Sequence, residues 1–126
     1  MEKHVLLIED EPNIAEAIRF LLTRDGHRVS HAIEGVAALA VLRDDCPDLV
    51  ILDHMLPGMS GLEILTAIRA DGTTRNLPVM MLTARGRDRE MAERAGADRF
   101  MTKPFSNAEI LAEVRAMLGQ SGQTAG

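Results

Sequence analysis

The sequence predicts a single α/β domain built on a parallel sheet with helices on both faces. Three observations carry this. Short apolar runs, such as Val5-Leu6-Leu7-Ile8 and Leu49-Val50-Ile51-Leu52, read as strands buried on both sides. Segments with apolar residues at helical spacing alternate with them, the pattern of a sheet covered on both faces. The strongest runs end in polar residues, Glu9, Asp53 and Thr83, at points where the chain leaves the sheet.

The elements follow in order. Val5 to Ile8 is the first strand, and Glu9-Asp10-Glu11 follows it. Pro12 suits the first turn of a helix, where its missing N–H costs nothing. Ile14, Ile18, Leu21 and Leu22 share one face of that helix, and Gly26 closes it. His27 to Ala32 is a short second strand. The second helix follows Glu34-Gly35, with Val36, Leu39, Ala40 and Leu42 as its expected apolar side, and Pro47 ends it. The third strand runs into Asp53, and Pro57-Gly58 turns the chain. Ser60 with Glu63 is a capping box opening the third helix, whose apolar side is Leu62, Leu65 and Ile68. Leu77 to Leu82 is the fourth strand, ending at Thr83. Arg85 to Arg94 reads as a short polar helix with only Met91 and Ala92 to bury. Ala97 to Thr102 is the fifth strand, Lys103-Pro104-Phe105 a loop, and Ser106 with Glu109 caps a last helix carrying Ile110, Leu111, Val114 and Leu118. Residues 1–118 form the expected domain, and 119–126, rich in Gly, Gln, Ser and Thr, an expected flexible tail.

Right-handed crossovers leave few ways to assemble these units. The common five-strand solution is the flavodoxin-like doubly wound order 2-1-3-4-5, which sets strands one and three side by side at the switch point. Glu9 and Asp10 then lie beside Asp53.

Composition excludes several roles. The 126 residues include 14 Lys and Arg against 19 Asp and Glu, a net charge of −5. An acidic chain with no Trp or Tyr has neither the basic face nor the stacking platform that nucleic-acid binding needs, and no attraction to an anionic membrane. The single cysteine, Cys46, has no internal disulfide partner and no neighbour at metal-ligand spacing, so a reducing cytoplasm and a structural role are expected. Glu9 interrupts the first apolar run too early for a signal peptide, and no stretch is long enough to span a bilayer.

Three carboxylates in one crevice repel unless something compensates. A hard divalent cation with oxygen ligands is one answer, and Mg²⁺ suits one or two carboxylates plus water and phosphate oxygens, with Mn²⁺ able to replace it. Lys103, leaving the fifth strand at the same sheet edge, is another. Carboxylates, a cation, the Thr83 hydroxyl and Lys103 are the components of phosphoryl transfer, and a carboxylate can itself be the nucleophile. Asp53, presented alone at a strand tip, is the candidate.

These residues resemble a response-regulator receiver domain, the phosphoacceptor of two-component signalling. The marks are Glu9-Asp10 after the first strand, Asp53 in Leu-Asp-His-Met-Leu-Pro-Gly, Thr83-Ala84 after the fourth, and Lys103-Pro104 after the fifth. The resemblance implies that Asp53 takes a phosphoryl group from a histidine kinase or histidine phosphotransfer protein. It implies that Asp10 binds Mg²⁺ directly and Glu9 through water, with Asp53 and the backbone carbonyl of Met55 completing the protein's ligands. Lys103 would bridge to the phosphoryl oxygens, Thr83 and Phe100 would form the switch, and the Lys103–Pro104 bond would be cis. Such a domain is not an enzyme on other substrates; it catalyses only its own phosphorylation and dephosphorylation. Its output face, and a possible homodimer surface, would be the fourth helix, fifth strand and fifth helix, roughly Arg87 to Leu118. A downstream effector protein, or an output domain missing from this chain, would receive the signal. The segment from Thr83 to Lys103 is slightly short for the family, and Phe100 stands where tyrosine is more frequent.

The alternative of another class is a Mg²⁺-dependent phosphatase with an aspartyl nucleophile. It would want a second acid at position 55, where Met55 stands, and room for a cap. A flavin carrier would need a phosphate-binding loop after the first strand, where Glu9-Asp10-Glu11 repels phosphate. A scaffold that is never phosphorylated would have no use for the constellation. His54 is expected to point away from Asp53 into a packing or solvated role, Glu11 to serve the first helix dipole, and Met80, Met81, Met91 and Met101 to fill the core.

Overall fold

The computed structural model describes residues 2–119. Five strands, β1 (His4–Ile8), β2 (Arg28–Ala32), β3 (Leu49–Asp53), β4 (Val79–Thr83) and β5 (Arg99–Thr102), form one parallel sheet. Their order is β2-β1-β3-β4-β5, the expected doubly wound arrangement. The helices are α1 (Pro12–Arg24), α2 (Gly35–Asp44), α3 (Gly61–Ala70), α4 (Arg89–Ala95) and α5 (Asn107–Met117). The expected tail at 119–126 lies, except for Gly119, outside the described residues.

Side-chain alternation along the strands divides the core in two. Val5, Leu7, Leu49, Ile51, Met80 and Leu82 face one way and meet Ala15, Ile18 and Leu22 of α1 and Ile110 and Val114 of α5. Leu6, Ile8, Val50, Leu52, Val79 and Met81 face the other way and meet α2, α3 and Ala92 of α4. β1, β3 and β4 are buried along their whole length, which is why they read as unbroken apolar runs. Each fully buried Leu or Ile contributes about 1.5–3 kcal/mol relative to exposure. The edge strands β2 and β5 are more exposed and carry polar residues.

Local signals fix the helix starts. Ser60 and Glu63 cap α3 reciprocally, and Ser106 and Glu109 do the same for α5. Pro12 opens α1, and the Glu11 side chain caps it by accepting the Asn13 N–H at 3.1 Å. Gly61 is dictated by packing: a Cβ there would run into the Asp53 carbonyl oxygen and His54 Cα. The helix start is thereby pressed against the end of β3.

Four expectations need correction. Val36 does not face the core; α2 turns Gly35, Ala38 and Leu42 inward and leaves Val36 73% exposed. The Met59 side chain occupies the space beside Gly35, so only glycine lets the helix settle there. Met91 is 48% exposed, because the short α4 offers one inward position and Ala92 takes it. The segment from Arg85 to Arg94 is not one helix but a 3-10 turn, Gly86–Asp88, followed by α4. Cys46 is exposed and packs into no core.

Candidate functional site

The sheet register brings the strand ends to one edge. Ile8 pairs with Leu52, Asp53 with Leu82, and Thr83 with Thr102, so Glu9, Asp53, Thr83 and Lys103 leave the sheet together. Carboxylate oxygens of Glu9, Asp10 and Asp53 lie within 4.8 Å of one another. Glu9 and Asp53 are buried and Asp10 is exposed, so the cluster opens to solvent on Asp10's side.

Lys103 provides a local counter-charge. Its Nζ donates to Asp53 Oδ1 at 3.2 Å and lies 3.1 Å from Glu9 Oε1 as an ion pair. The Lys103–Pro104 bond is cis. Burial works against the Lys103 ammonium, but the pull of Glu9 and Asp53 outweighs it and raises its pKa. Glu9 is held from three directions. Its Oε2 accepts the Glu11 N–H at 3.1 Å, its own N–H donates to Ala32 O at 3.1 Å, and its carbonyl accepts from His31 Nε2 at 2.8 Å. A carbonyl only accepts, so His31 carries its proton on Nε2. Burial pushes Glu9 up to about 7, with Asp53 adding to the rise and the Glu11 N–H and Lys103 opposing it.

One ammonium against three carboxylates leaves the site negative. The donors are all hard oxygens, and buried Glu9 Oε1 has only the Lys103 ammonium, 3.1 Å away, beside it. This set fits a Mg²⁺-class cation, which prefers carboxylate oxygens and keeps several coordination positions for water or phosphate.

Thr83 and Phe100 occupy defined places. Thr83 Oγ1 accepts the Arg85 N–H at 3.1 Å and donates to Asp88 Oδ2 at 3.1 Å. Phe100 is half-buried against the α2–α3–α4 side of the core, with the Arg89 guanidinium 5.4 Å above its ring. Met55 follows two residues after Asp53 in the β3–α3 loop, with its side chain 57% exposed. His54 is half-buried, its Nε2 3.8 Å from Asp88 Oδ2.

Asp88, Arg89 and His31 were not legible as site residues. Asp88 and Arg89 stand in a run of charged residues that resembles any solvated face, and His31 sits on a polar edge strand. An apolar groove of about 440 Å³ adjoins Lys103, lined by Ile14, Ile18, Ala84, Pro104 and Phe105.

Comparison with known proteins agrees with the geometry. Residues 5–115 match the response regulator receiver domain family. The phosphate regulon transcriptional regulatory protein PhoB of Escherichia coli (strain K12) is 39% identical over 120 residues, covering 94% of this chain and 52% of that protein. The probable transcriptional regulatory protein TcrX of Mycobacterium tuberculosis is 41% identical over 122 residues, 95% of this chain and 51% of that protein. This chain therefore spans about half the length of the curated relatives it matches. Among solved structures, a putative response regulator from Chloroflexus aurantiacus superposes with a TM-score of 0.90 at 30% identity, covering 94% of this chain and 99% of that one. The receiver domain of the sensor histidine kinase PA1611 from Pseudomonas aeruginosa, solved with magnesium coordinated in its active site cleft, has a TM-score of 0.86 at 30% identity, covering 94% and 99%. Fold, acidic cluster and family match converge: this chain belongs to the response regulator receiver domain family of two-component signalling.

Proposed function

We propose that Asp53 is the phosphoacceptor. The observation that carries this is the buried carboxylate that ends β3, held by Lys103 at 3.2 Å beside two further acids, Glu9 and Asp10. An Asp53 oxygen attacks the phosphorus of a phosphohistidine in line. The O–P bond forms as the P–N bond breaks, and the departing imidazole keeps the bonding electron pair and takes up a proton. Lys103 shifts toward the phosphoryl oxygens while remaining near Asp53. Asp10, Asp53 and the Met55 carbonyl, with Glu9 through water, would hold Mg²⁺ (or Mn²⁺). When bound it would neutralise charge on the transferring group. Thr83 then turns its hydroxyl to a phosphoryl oxygen, and Phe100 follows inward. Hydrolysis of the acyl phosphate resets the domain, which acts on no other substrate.

The donor is a histidine kinase or histidine phosphotransfer protein. The apolar groove beside Lys103 offers it contact area. Residues 1–118 form the receiver unit, and an effector protein or output domain receives its signal. Output, or homodimerisation, uses α4, β5 and α5. Cytoplasmic residence fits an acidic chain with one exposed thiol and, among the described residues, no helix long and apolar enough to cross a membrane.

Beryllofluoride, a phosphoryl mimic, tests the assignment by ¹⁹F NMR with Mg²⁺. Wild type should show bound fluorine resonances, and Asp53→Asn should show none. Bound resonances that persist in Asp53→Asn would overturn it.

A further inference from the structure

The Thr83 hydroxyl is already committed. Its single proton goes to Asp88 Oδ2 at 3.1 Å, so it cannot donate to a phosphoryl oxygen at the same time. Both partners are buried, Thr83 at 1% and Asp88 at 7% exposure. The bond is therefore shielded from competing water. Asp88 occupies the N-cap position of α4, where an aspartate usually caps the helix, yet it makes no side-chain cap bond. Its Oδ2 is instead given to Thr83 and lies 3.8 Å from His54 Nε2, beside Asp53 in the chain. The next residue, Arg89, covers the Phe100 ring at 5.4 Å. The two-residue junction between the 3-10 turn and α4 thus touches both residues of the switch.

We propose that Asp88 is a positioning residue that latches Thr83 in its resting orientation, so that phosphorylation of Asp53 must break the Thr83–Asp88 hydrogen bond to switch the domain. At 3.1 Å the bond is long for a hydroxyl on a carboxylate, and it is the burial of both partners that sustains it. It favours the resting state without touching the reacting atoms. Breaking it frees the Asp88 carboxylate at the start of α4, which couples the phosphoryl site to that helix. A ligand that recruits the Thr83 hydroxyl binds more weakly while the latch holds, by the fraction of molecules already unlatched.

The inference rests on the roles of Asp53 and Thr83 proposed above. It is tested on the full chain by the affinity for beryllofluoride with Mg²⁺. Asp88→Ala should bind about tenfold more tightly than wild type, equivalent to 1.4 kcal/mol. Asp88→Asn keeps the shape and a neutral acceptor, and should gain less, about threefold. In a Thr83→Val background, where there is no hydroxyl to release, Asp88→Ala should change affinity by less than about twofold. A residue that only supports the fold would give no gain, or the same change in both backgrounds; either result overturns the latch. If Asp88→Ala does not fold, the comparison of Asp88→Asn with wild type, alone and with Thr83→Val, decides the matter. Failure of wild type to bind beryllofluoride at all would overturn the phosphoacceptor assignment and the latch together. Wild-type binding with no gain from the Asp88 variants would overturn the latch alone.

Discussion

Glu9→Gln in metal-free protein probes the charge balance of the site. Burial lifts the Glu9 carboxyl from 4.5 to about 7, so the folded state keeps a proton that the unfolded chain releases. A raised folded value means the associated stability is fully present below pH 4.5 and is lost as pH rises through about 7. At 1.36 kcal/mol per tenfold, the full displacement corresponds to about 3 kcal/mol. Glu9 has no accessible surface, but Asp10 next to it is open to water that screens the cluster. We therefore expect about 1–2 kcal/mol to be realised. Glutamine keeps the shape and removes the ionisation. In chelator, Glu9→Gln and wild type should unfold at similar temperatures near pH 4.5 and diverge as pH rises. By about pH 8 the variant should be more stable by roughly 3–8 °C, the Tm equivalent of that energy for a domain of this size. Mg²⁺ should shrink the difference, because a cation held through water by the ionised Glu9 carboxylate stabilises the wild-type folded state by mass action. Thermal unfolding by circular dichroism across pH, with and without Mg²⁺, reads all of this. A difference in chelator that does not grow with pH, or a variant less stable than wild type at about pH 8, would mean that Glu9 does not hold its proton in the folded state.

Two further substitutions test how the scaffold presents the site. Gly61→Ala places a methyl against the Asp53 carbonyl oxygen and His54 Cα, where only backbone movement makes room, and should cost about 1–3 kcal/mol in urea unfolding while weakening Mg²⁺ binding through displaced Asp53. Arg69→Ala removes bonds to the carbonyls of Gly96 (2.9 and 2.7 Å), Leu77 (2.7 Å) and Arg75 (3.0 Å) and to Asp98 Oδ2 (2.9 Å). With its side chain only 19% exposed, its loss should cost roughly 2–4 kcal/mol and speed amide exchange in the 75–78 and 96–98 turns.

The sheet and the acidic cluster were legible because they rest on strong local signals. Three fully buried parallel strands must be apolar, so the acid or hydroxyl that ends each one stands out. The capping boxes at Ser60 and Ser106 were equally plain, since each is complete within four consecutive residues. What escaped depends on tertiary geometry. Val36 and Met91 are apolar residues beside small ones, and the small residues won the inward positions because the helices lie close to their neighbours. Arg69 reads as a surface arginine and becomes a clamp only when the loops before β4 and β5 meet around it. Asp88 reads as one charge among many, and its role follows from a 3-10 turn that aims it at Thr83.

The central claim is that Asp53 accepts a phosphoryl group with Lys103 and a divalent cation assisting. Intact-mass spectrometry after incubation with acetyl phosphate and Mg²⁺ tests it most directly. Wild type should gain one phosphoryl group, Asp53→Asn none, and wild type in chelator none. Wild type that stays unmodified with Mg²⁺ present, or Asp53→Asn that gains the same mass, would contradict it.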